Sequence, residues 1–296
     1  PESHVAAAAS AVATALVDAI QGPDAAPHLA IDTPPVMANA LTSIIRPTRA
    51  VRPRDREAFI DRIDLQNRLP AEVYASRLRA AQGEFGAAMR AMYAARRAVV
   101  LVFEGFDAAG KGGAIRRLVA AVDPRQYQII PVSAPDASAH NHHWLWRFWR
   151  HVPKAGHLTI FDRSWYGRVL VERVEGFASE PFWCRAFEEI NEFERQLAEH
   201  GVVVAKFWLH LSSEEQGRRF EARRQTPYKR HKITDEDLRN RLRRPDYERA
   251  LVDMFRHTDT SYAPWHGIAA EDKRFARVEV LERATRLLNE ALYAPK

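Results

Sequence analysis

The sequence predicts an α/β fold in which helices flank a parallel sheet, and two observations support this fold class. Short apolar runs, such as residues 99–103, are bounded by turn residues, as expected for strands buried on both faces. These runs alternate with amphipathic segments of helical period, which is the pattern of βαβ units. With 296 residues and 46% hydrophobic content, the chain can bury the core of one large domain plus appendages.

The run at 99–103 leads into a glycine-rich loop of the form G-x-x-x-x-G-K at residues 105–111, followed by a helical pattern. Glycine lets the backbone approach a phosphate, successive N–H groups bind the anion, and the helix N-terminus adds a favourable dipole. Strand, loop, lysine and helix stand in the order of a Walker A phosphate-binding loop. We therefore expect Lys111 to bind phosphate together with the loop glycines Gly105, Gly110, Gly112 and Gly113.

Two carboxylates are candidate metal ligands. The residue after the loop lysine is usually Ser or Thr, whose hydroxyl binds Mg²⁺, but here it is Gly112. Asp107 lies inside the loop, where it would repel phosphate unless a cation lay beside it, so we interpret it as the replacement ligand. Asp162 follows the apolar run 157–161, which is where phosphate-loop enzymes place a second metal-binding carboxylate. A cap for the next helix is the alternative role for Asp162.

Arginines follow this second carboxylate at intervals of about five residues, at Arg163, Arg168 and Arg173. Planar guanidinium groups suit phosphate oxygens, although one or two of these side chains could instead form ordinary ion pairs. Further along, seven basic residues face one acid between residues 218 and 232. A solvated helix usually mixes charges of both signs, so this stretch predicts a basic helical lid over a polyanion, at about 214–249, with Pro227 as a hinge.

The segment 140–150 contains three histidines, but their spacing, without cysteine or a second cluster, is poor for zinc. We expect its aromatic and aliphatic side chains to bury one helix face, namely Trp144, Leu145, Phe148 and Trp149.

Composition limits compartment and partners. The sequence has no run of eighteen apolar residues and no basic region before an apolar N-terminal stretch, so we expect no membrane association and no signal peptide. A single cysteine, Cys184, fits a reducing, cytoplasmic location. The net charge of +6 favours an acidic partner, and no nucleic-acid-binding signature is present. Residues 1–54 are predicted to form an Ala/Pro-rich extension, and residues 55–296 the catalytic domain.

From about residue 64 to 292 the sequence resembles the polyphosphate kinase 2 family. The resemblance rests mainly on Glu-Gly-Phe-Asp-Ala-Ala-Gly-Lys-Gly-Gly (104–113), Phe-Asp-Arg-Ser-Trp-Tyr-Gly-Arg (161–168) and Thr-Pro-Tyr-Lys-Arg-His-Lys-Ile-Thr (226–234). It implies a P-loop, nucleotide-kinase-like core with a helical lid, Mg²⁺ (or Mn²⁺), a homo-oligomer, and phosphoryl transfer between inorganic polyphosphate and a nucleotide. The family's catalytic and metal positions fall on Asp107, Lys111, Asp162 and Arg163. Its phosphate-binding positions fall on Arg168, Arg173, Arg219, Arg223, Lys229 and Lys232.

The Gly-Phe-Asp and Lys-Ile-Thr motifs are similar to those of the branch that converts AMP to ADP. Phosphorylation of ADP or GDP by polyphosphate is the main alternative. An ordinary ATP-dependent nucleotide kinase is disfavoured by the excess of basic residues in the lid. A polyanion-binding module without turnover is disfavoured because both carboxylates are present.

Overall fold

The structure is a computed structural model that describes residues 58–227 and 235–293 of the chain. The predicted extension, residues 1–54, lies outside the described residues, and so do Lys229 and Lys232. Within the described ranges, every helix is too short or too polar to cross a bilayer.

Five parallel strands form one sheet with the spatial order β2-β3-β1-β4-β5. The strands are β1 (Val99–Gly105), β2 (Tyr127–Pro131), β3 (Leu158–Asp162), β4 (Val203–His210) and β5 (Trp265–Ala269). The central strand β1 pairs with β3 on one side and β4 on the other, and Phe103 lies level with Asp162. The chain thus leaves β1 at a point where the strand order reverses, which is where open α/β sheets bind ligands.

Helices precede, connect and follow the strands. They are α1 (Ala58–Asp61), α2 (Ala71–Ala94), α3 (Lys111–Val119), α4 (Ala137–His140), α5 (Trp146–Trp149), α6 (Val171–Val174), α7 (Glu180–Glu199), α8 (Ser213–Gln225), α9 (Asp235–Leu242), α10 (Arg244–Thr258) and α11 (Lys273–Tyr293). Two short 3₁₀ helices, Pro124–Gln126 and Trp165–Arg168, precede β2 and follow β3.

The core has two layers because successive side chains of β1 point to opposite faces of the sheet. Leu101 and Phe103 pack in the layer that contains α2, α3 and α11. Val100 and Val102 pack in the layer that contains α7 and α10. This double coverage explains why β1 is apolar at nearly every position, and it confirms the predicted α/β class.

The segment 140–150 differs from the expectation that four large side chains bury one helix face. Within this segment the helix α5 covers only Trp146–Trp149, and Trp144 and Leu145 precede it, so the four positions do not share one helix face. Leu145 and Phe148 are buried, whereas Trp149 stays 42% exposed and packs edge-on against Phe193.

Candidate active site

The glycine-rich loop 105–111 lies between β1 and α3, as predicted from its sequence. Gly105 closes β1 with a φ of +148°, and an added Cβ would lie 2.5 Å from the carbonyl oxygen of Leu209 on β4. Only glycine allows this close approach of two strands. Helix α3 begins at Lys111, whose Nζ donates a hydrogen bond of 2.7 Å to the Gly105 carbonyl oxygen. Lys111 is therefore held against the strand end that it follows.

Helix α8 supports the loop from the side. The Arg219 guanidinium donates to the carbonyl oxygens of Ala108 and Ala109 at 2.9 and 3.0 Å, and pairs with Glu215 at 2.7 Å. Gln216 Nε2 donates to the Asp107 carbonyl oxygen at 3.0 Å. These bonds hold a loop in which Ala108 has a φ of +65°, a conformation that costs energy for a residue with a Cβ. In this arrangement Arg219 shapes the loop, and phosphate binding by Arg219 stays a prediction.

Both oxygens of the Asp107 carboxylate accept a hydrogen bond. Its Oδ1 accepts a hydrogen bond of 2.9 Å from Arg163, and its Oδ2 accepts one of 2.9 Å from Asn240 on α9. Burial alone would raise the pKa of Asp107, but Lys111, Arg163 and the Asn240 amide together lower that pKa below its usual value. Asp107 is therefore ionised at neutral pH, and the cation beside it in this structure is the Arg163 guanidinium.

Asp162 has a different environment at the end of β3. An added Cβ at Gly112 would lie 3.7 Å from Asp162 Oδ2, so the structure brings Asp162 to the position where a Ser or Thr side chain would begin. Among the described residues, the Asp162 carboxylate has no hydrogen-bond or ion-pair partner, whereas Asp107 has two. Those residues also contain no group of three or more acids, histidines or cysteines around one point. A metal here would depend on carboxylates together with ligands from the substrate.

The turn after β3 positions Arg163. Arg163 has a φ of +64°, and its backbone N–H donates to the Phe103 carbonyl oxygen at 3.0 Å. The next residue, Ser164, donates from its hydroxyl to the buried Glu104 carboxylate at 2.8 Å. Burial raises the pKa of Glu104, with Lys111 and the Ser164 hydroxyl opposing that rise. The positive φ of Arg163 is a strained conformation, which persists where surrounding contacts fix the backbone. Residues with such strain cluster at functional sites.

Two cavities meet at Arg163. The larger one, about 810 Å³, is open and runs along the loop from Gly110 to Gly113 and past Asp162. Its lining contains one carboxylate, Asp162, and six basic side chains: Lys111, Arg116, Arg117, Arg163, Arg223 and Arg277.

The second cavity, about 80 Å³, lies on the Asp107 side of Arg163. Aromatic and polar side chains from the loop, β4, α8, α9 and α10 enclose it, including Phe106, Trp208, Gln216, Asn240 and Tyr247. Tyr247 donates from its hydroxyl to Asn240 Oδ1 at 3.0 Å, which fixes the Asn240 amide toward Asp107. We call the two spaces the open cleft and the inner cavity.

Two of the predicted arginines, Arg168 and Arg173, lie outside the linings of both cavities. Arg168 pairs with Glu172 at 3.1 Å, and Arg173 pairs with Asp253 at 2.9 Å. Each also stacks on an indole ring, that of Trp144 or Trp183. These contacts fit the ion-pair alternative, and phosphate binding by either residue stays a prediction.

Helix α8 of the predicted lid contains more paired charges than the count of basic and acidic residues between 218 and 232 suggests. Arg218 pairs with Glu215 at 3.1 Å, as Arg219 does, and Arg224 pairs with Glu221 at 3.3 Å. Arg223 lines the open cleft. Sequence reasoning missed Gln216 and Arg277, which come from elements far along the chain and carry no motif of their own, and it assigned no role to Asn240.

Comparison with known proteins agrees with the family that the sequence resembles. The family model described as polyphosphate kinase 2 matches residues 68–294. The chain is 53% identical over 238 residues to a polyphosphate:AMP phosphotransferase of Pseudomonas syringae pv. tomato, covering 80% of the chain and 47% of the relative. It is 40% identical over 183 residues to a GDP-polyphosphate phosphotransferase of Pseudomonas aeruginosa, covering 62% of the chain and 51% of the relative. The chain thus spans about half the length of these curated relatives.

A solved structure extends the likeness to the fold. The crystal structure of polyphosphate kinase 2 from Arthrobacter aurescens TC1 superposes with a TM-score of 0.74 at 30% sequence identity. The match covers 84% of this chain and 88% of that one. The loop, the strand-end carboxylate and the five-stranded parallel sheet thus occur in a chain that belongs to the polyphosphate kinase 2 family.

Proposed function

We propose that the chain transfers a phosphoryl group from inorganic polyphosphate to a nucleotide, with AMP as the preferred acceptor and ADP as its product. The observation that carries this proposal is the position of Arg163, which lines both the open cleft and the inner cavity. A transfer between two bound molecules needs both to meet at one point, and a guanidinium there can stabilise the charge on the moving group.

The open cleft suits the polyphosphate donor. Six basic side chains against one carboxylate give it a strongly positive field, which attracts a polyanion and raises its local concentration. The loop N–H groups and the N-terminus of α3 add donors and a favourable dipole for the phosphates. The open form of the cleft leaves room for a chain substrate to continue beyond the reacting residue.

The inner cavity suits the acceptor. Its aromatic side chains, Phe106, Trp208 and Tyr247, offer surfaces on which a planar base can stack, and Asn240 and Gln216 offer amide groups. The Arg244 guanidinium stacks on the Phe106 ring at 4.1 Å, which adds a positive charge beside the same wall. At about 80 Å³ the cavity is smaller than a nucleotide, so the acceptor fits only if the lid residues from α9 and α10 move outward.

The donor set at Asp162 fits Mg²⁺. This ion is commonly bound through one or two carboxylates plus substrate phosphates and water, and the Asp162 carboxylate is available beside Gly112. Asp107 would be the second carboxylate through the lone pairs that its bonds to Arg163 and Asn240 leave free. When bound, the metal neutralises charge between donor and acceptor phosphates.

The remaining catalytic work belongs to positioning and to fixed positive charge. Lys111 Nζ keeps two donors beyond its bond to Gly105, and these can bind oxygens of the transferred group. Arg163, held by its backbone bond and by Asp107, presents a guanidinium to the same group. Phosphoryl transfer requires little covalent chemistry from the protein, so no nucleophilic side chain is needed. A cytoplasmic location and a homo-oligomeric state stay predictions.

Incubation of the chain with long polyphosphate and Mg²⁺, without ATP, tests the proposal. We expect ADP from AMP, at a higher rate than ATP from ADP or GTP from GDP. Faster use of ADP or GDP would make nucleoside diphosphates the acceptors, as in the relatives named for those substrates. Tight binding of polyphosphate without formation of any nucleotide product would instead identify a polyanion-binding module.

A further inference from the structure

A group of arginines extends the open cleft away from the reacting centre. Arg116 and Arg117 lie one helical turn beyond Gly112 and Gly113 on α3, and Arg277 reaches the same place from α11. All three line the open cleft, and none of them lines the inner cavity. They come from the sheet face on which α3 packs against α11, so they are separate from the lid.

The Arg277 guanidinium lies beside Gly113. An added Cβ at residue 113 would lie 3.6 Å from one terminal nitrogen of the Arg277 guanidinium. Arg117 meets the same residue, because its guanidinium donates to the Gly113 carbonyl oxygen at 3.1 Å. Two guanidinium groups therefore converge within the first turn of α3, directly beyond Lys111.

These guanidinium groups have no described carboxylate partner. Neither Arg116, Arg117 nor Arg277 forms an ion pair with any acid in the described ranges, and the polar side-chain contact of Arg277 is a long bond of 3.4 Å to the Tyr74 hydroxyl. This differs from Arg168, Arg173 and most arginines of α8, whose charges are already paired. Uncompensated positive charges that converge on one cleft favour an anionic ligand.

We infer that Arg116, Arg117 and Arg277 form a binding site for the distal part of the polyphosphate chain, beyond the residue that is transferred. This inference rests on the proposed function, and it assigns the tail of the donor to the α3–α11 face and not mainly to the lid. A polyanion that binds Lys111 and the loop meets these three side chains where it continues along α3. Short oligophosphates would end before reaching them.

The test compares wild type with the double variant Arg116→Gln/Arg277→Gln. We expect the KM for long polyphosphate to rise about tenfold, while the KM for tripolyphosphate, the KM for AMP and kcat stay within about twofold of wild type. By analogy with single-stranded nucleic acids, loss of two contacts should also reduce the salt dependence of log KM for long polyphosphate by about 1.4. The double variant Arg79→Gln/Arg286→Gln removes two exposed charges elsewhere and should change none of these values.

Equal rises in KM for long and short donors would place the arginines at the reacting phosphates, which would overturn the inference, as would an unchanged KM for long polyphosphate. Calorimetric binding of long polyphosphate without nucleotide separates this inference from the proposed function. If wild type binds polyphosphate and the double variant binds it about tenfold more weakly, the tail site stands even when no nucleotide product forms. If both bind equally, the tail site is refuted whether or not the enzyme turns over.

Discussion

Replacement of the two candidate metal ligands by asparagine should give different results, because their environments differ. Asp162 has no partner among the described residues, so Asp162→Asn removes no protein contact. It should change the free energy of unfolding by less than about 0.5 kcal/mol. Loss of a metal-binding carboxylate should cost on the order of 4 kcal/mol of transition-state stabilisation, which is about a thousandfold in kcat.

Asp107→Asn should lower both activity and stability. It removes the ion pair of 2.9 Å with Arg163, whose side chain is 44% exposed, so solvent screening limits the loss to about 1 kcal/mol. For a domain of this size that loss corresponds to about 2–4 °C in Tm.

Initial rates of ADP formation and thermal unfolding of both variants measure these effects, with Asp61→Asn on the exposed surface of α1 as the matched control. An Asp162→Asn variant with a rate within about tenfold of wild type would refute the assignment of Asp162. So would a loss of Tm as large as that of Asp107→Asn.

Three further predictions concern the scaffold. Glu194→Gln should destabilise the protein by about 3–5 kcal/mol, because it leaves the fully buried Lys206 ammonium without its carboxylate partner at 2.7 Å. Chemical denaturation measures this loss, and a value below about 1 kcal/mol would contradict the prediction. Gly105→Ala should prevent stable folding, because the added Cβ would overlap a β4 carbonyl oxygen. Gly83→Ala, on the open side of α2, should instead stabilise the protein by about 0.5–1 kcal/mol. Equal Tm values for the two variants would refute this prediction. Burial lowers the pKa of His210 to about 4, so the unfolded chain binds more protons between pH 6.5 and 4. The contribution of His210 to stability should therefore fall by about 3 kcal/mol on acidification through that window, and His210→Gln should remove this part of the slope measured by urea unfolding. His266, whose pKa is also lowered to about 4 by burial, should keep its own part of the slope.

The sheet and the loop could be predicted from sequence because their signals are local. Strand β1, the glycines and Lys111 are consecutive, and backbone conformation there follows from residue type. The position of Asp162 could also be predicted, because the end of a neighbouring apolar strand in a parallel sheet lies beside the loop. These predictions needed only the order of elements along the chain.

The roles of individual arginines could not be read in the same way. An arginine that binds phosphate and one that binds backbone carbonyl oxygens are the same residue type in the sequence. Only their tertiary contacts distinguish them. Arg219 illustrates this, because its four carbonyl partners come from the loop and from residues that follow β5. A charge window that begins at residue 218 also leaves out Glu215, the acid that pairs with two of the lid arginines.

Residues contributed from a distance were missed for a related reason. Asn240 bonds to a carboxylate 133 positions earlier in the chain, and Arg277 reaches α3 from the last helix. No local pattern marks either residue, because the sheet topology alone brings α9 and α11 to the loop. The arginines that α3 and α11 contribute to the open cleft could therefore be identified only from the fold.

Transfer of phosphate from polyphosphate to AMP is the central claim, and phosphorus NMR of one reaction mixture tests it most directly. The mixture contains long polyphosphate, AMP, Mg²⁺ and the protein, with no other phosphate donor. We expect the ADP β-phosphate resonance to grow at the expense of the internal phosphates of polyphosphate, because a chain shortened by one residue still has two ends. We expect no such growth with Asp162→Asn. Release of inorganic phosphate without any ADP resonance, or an unchanged spectrum with the wild-type protein, would contradict it.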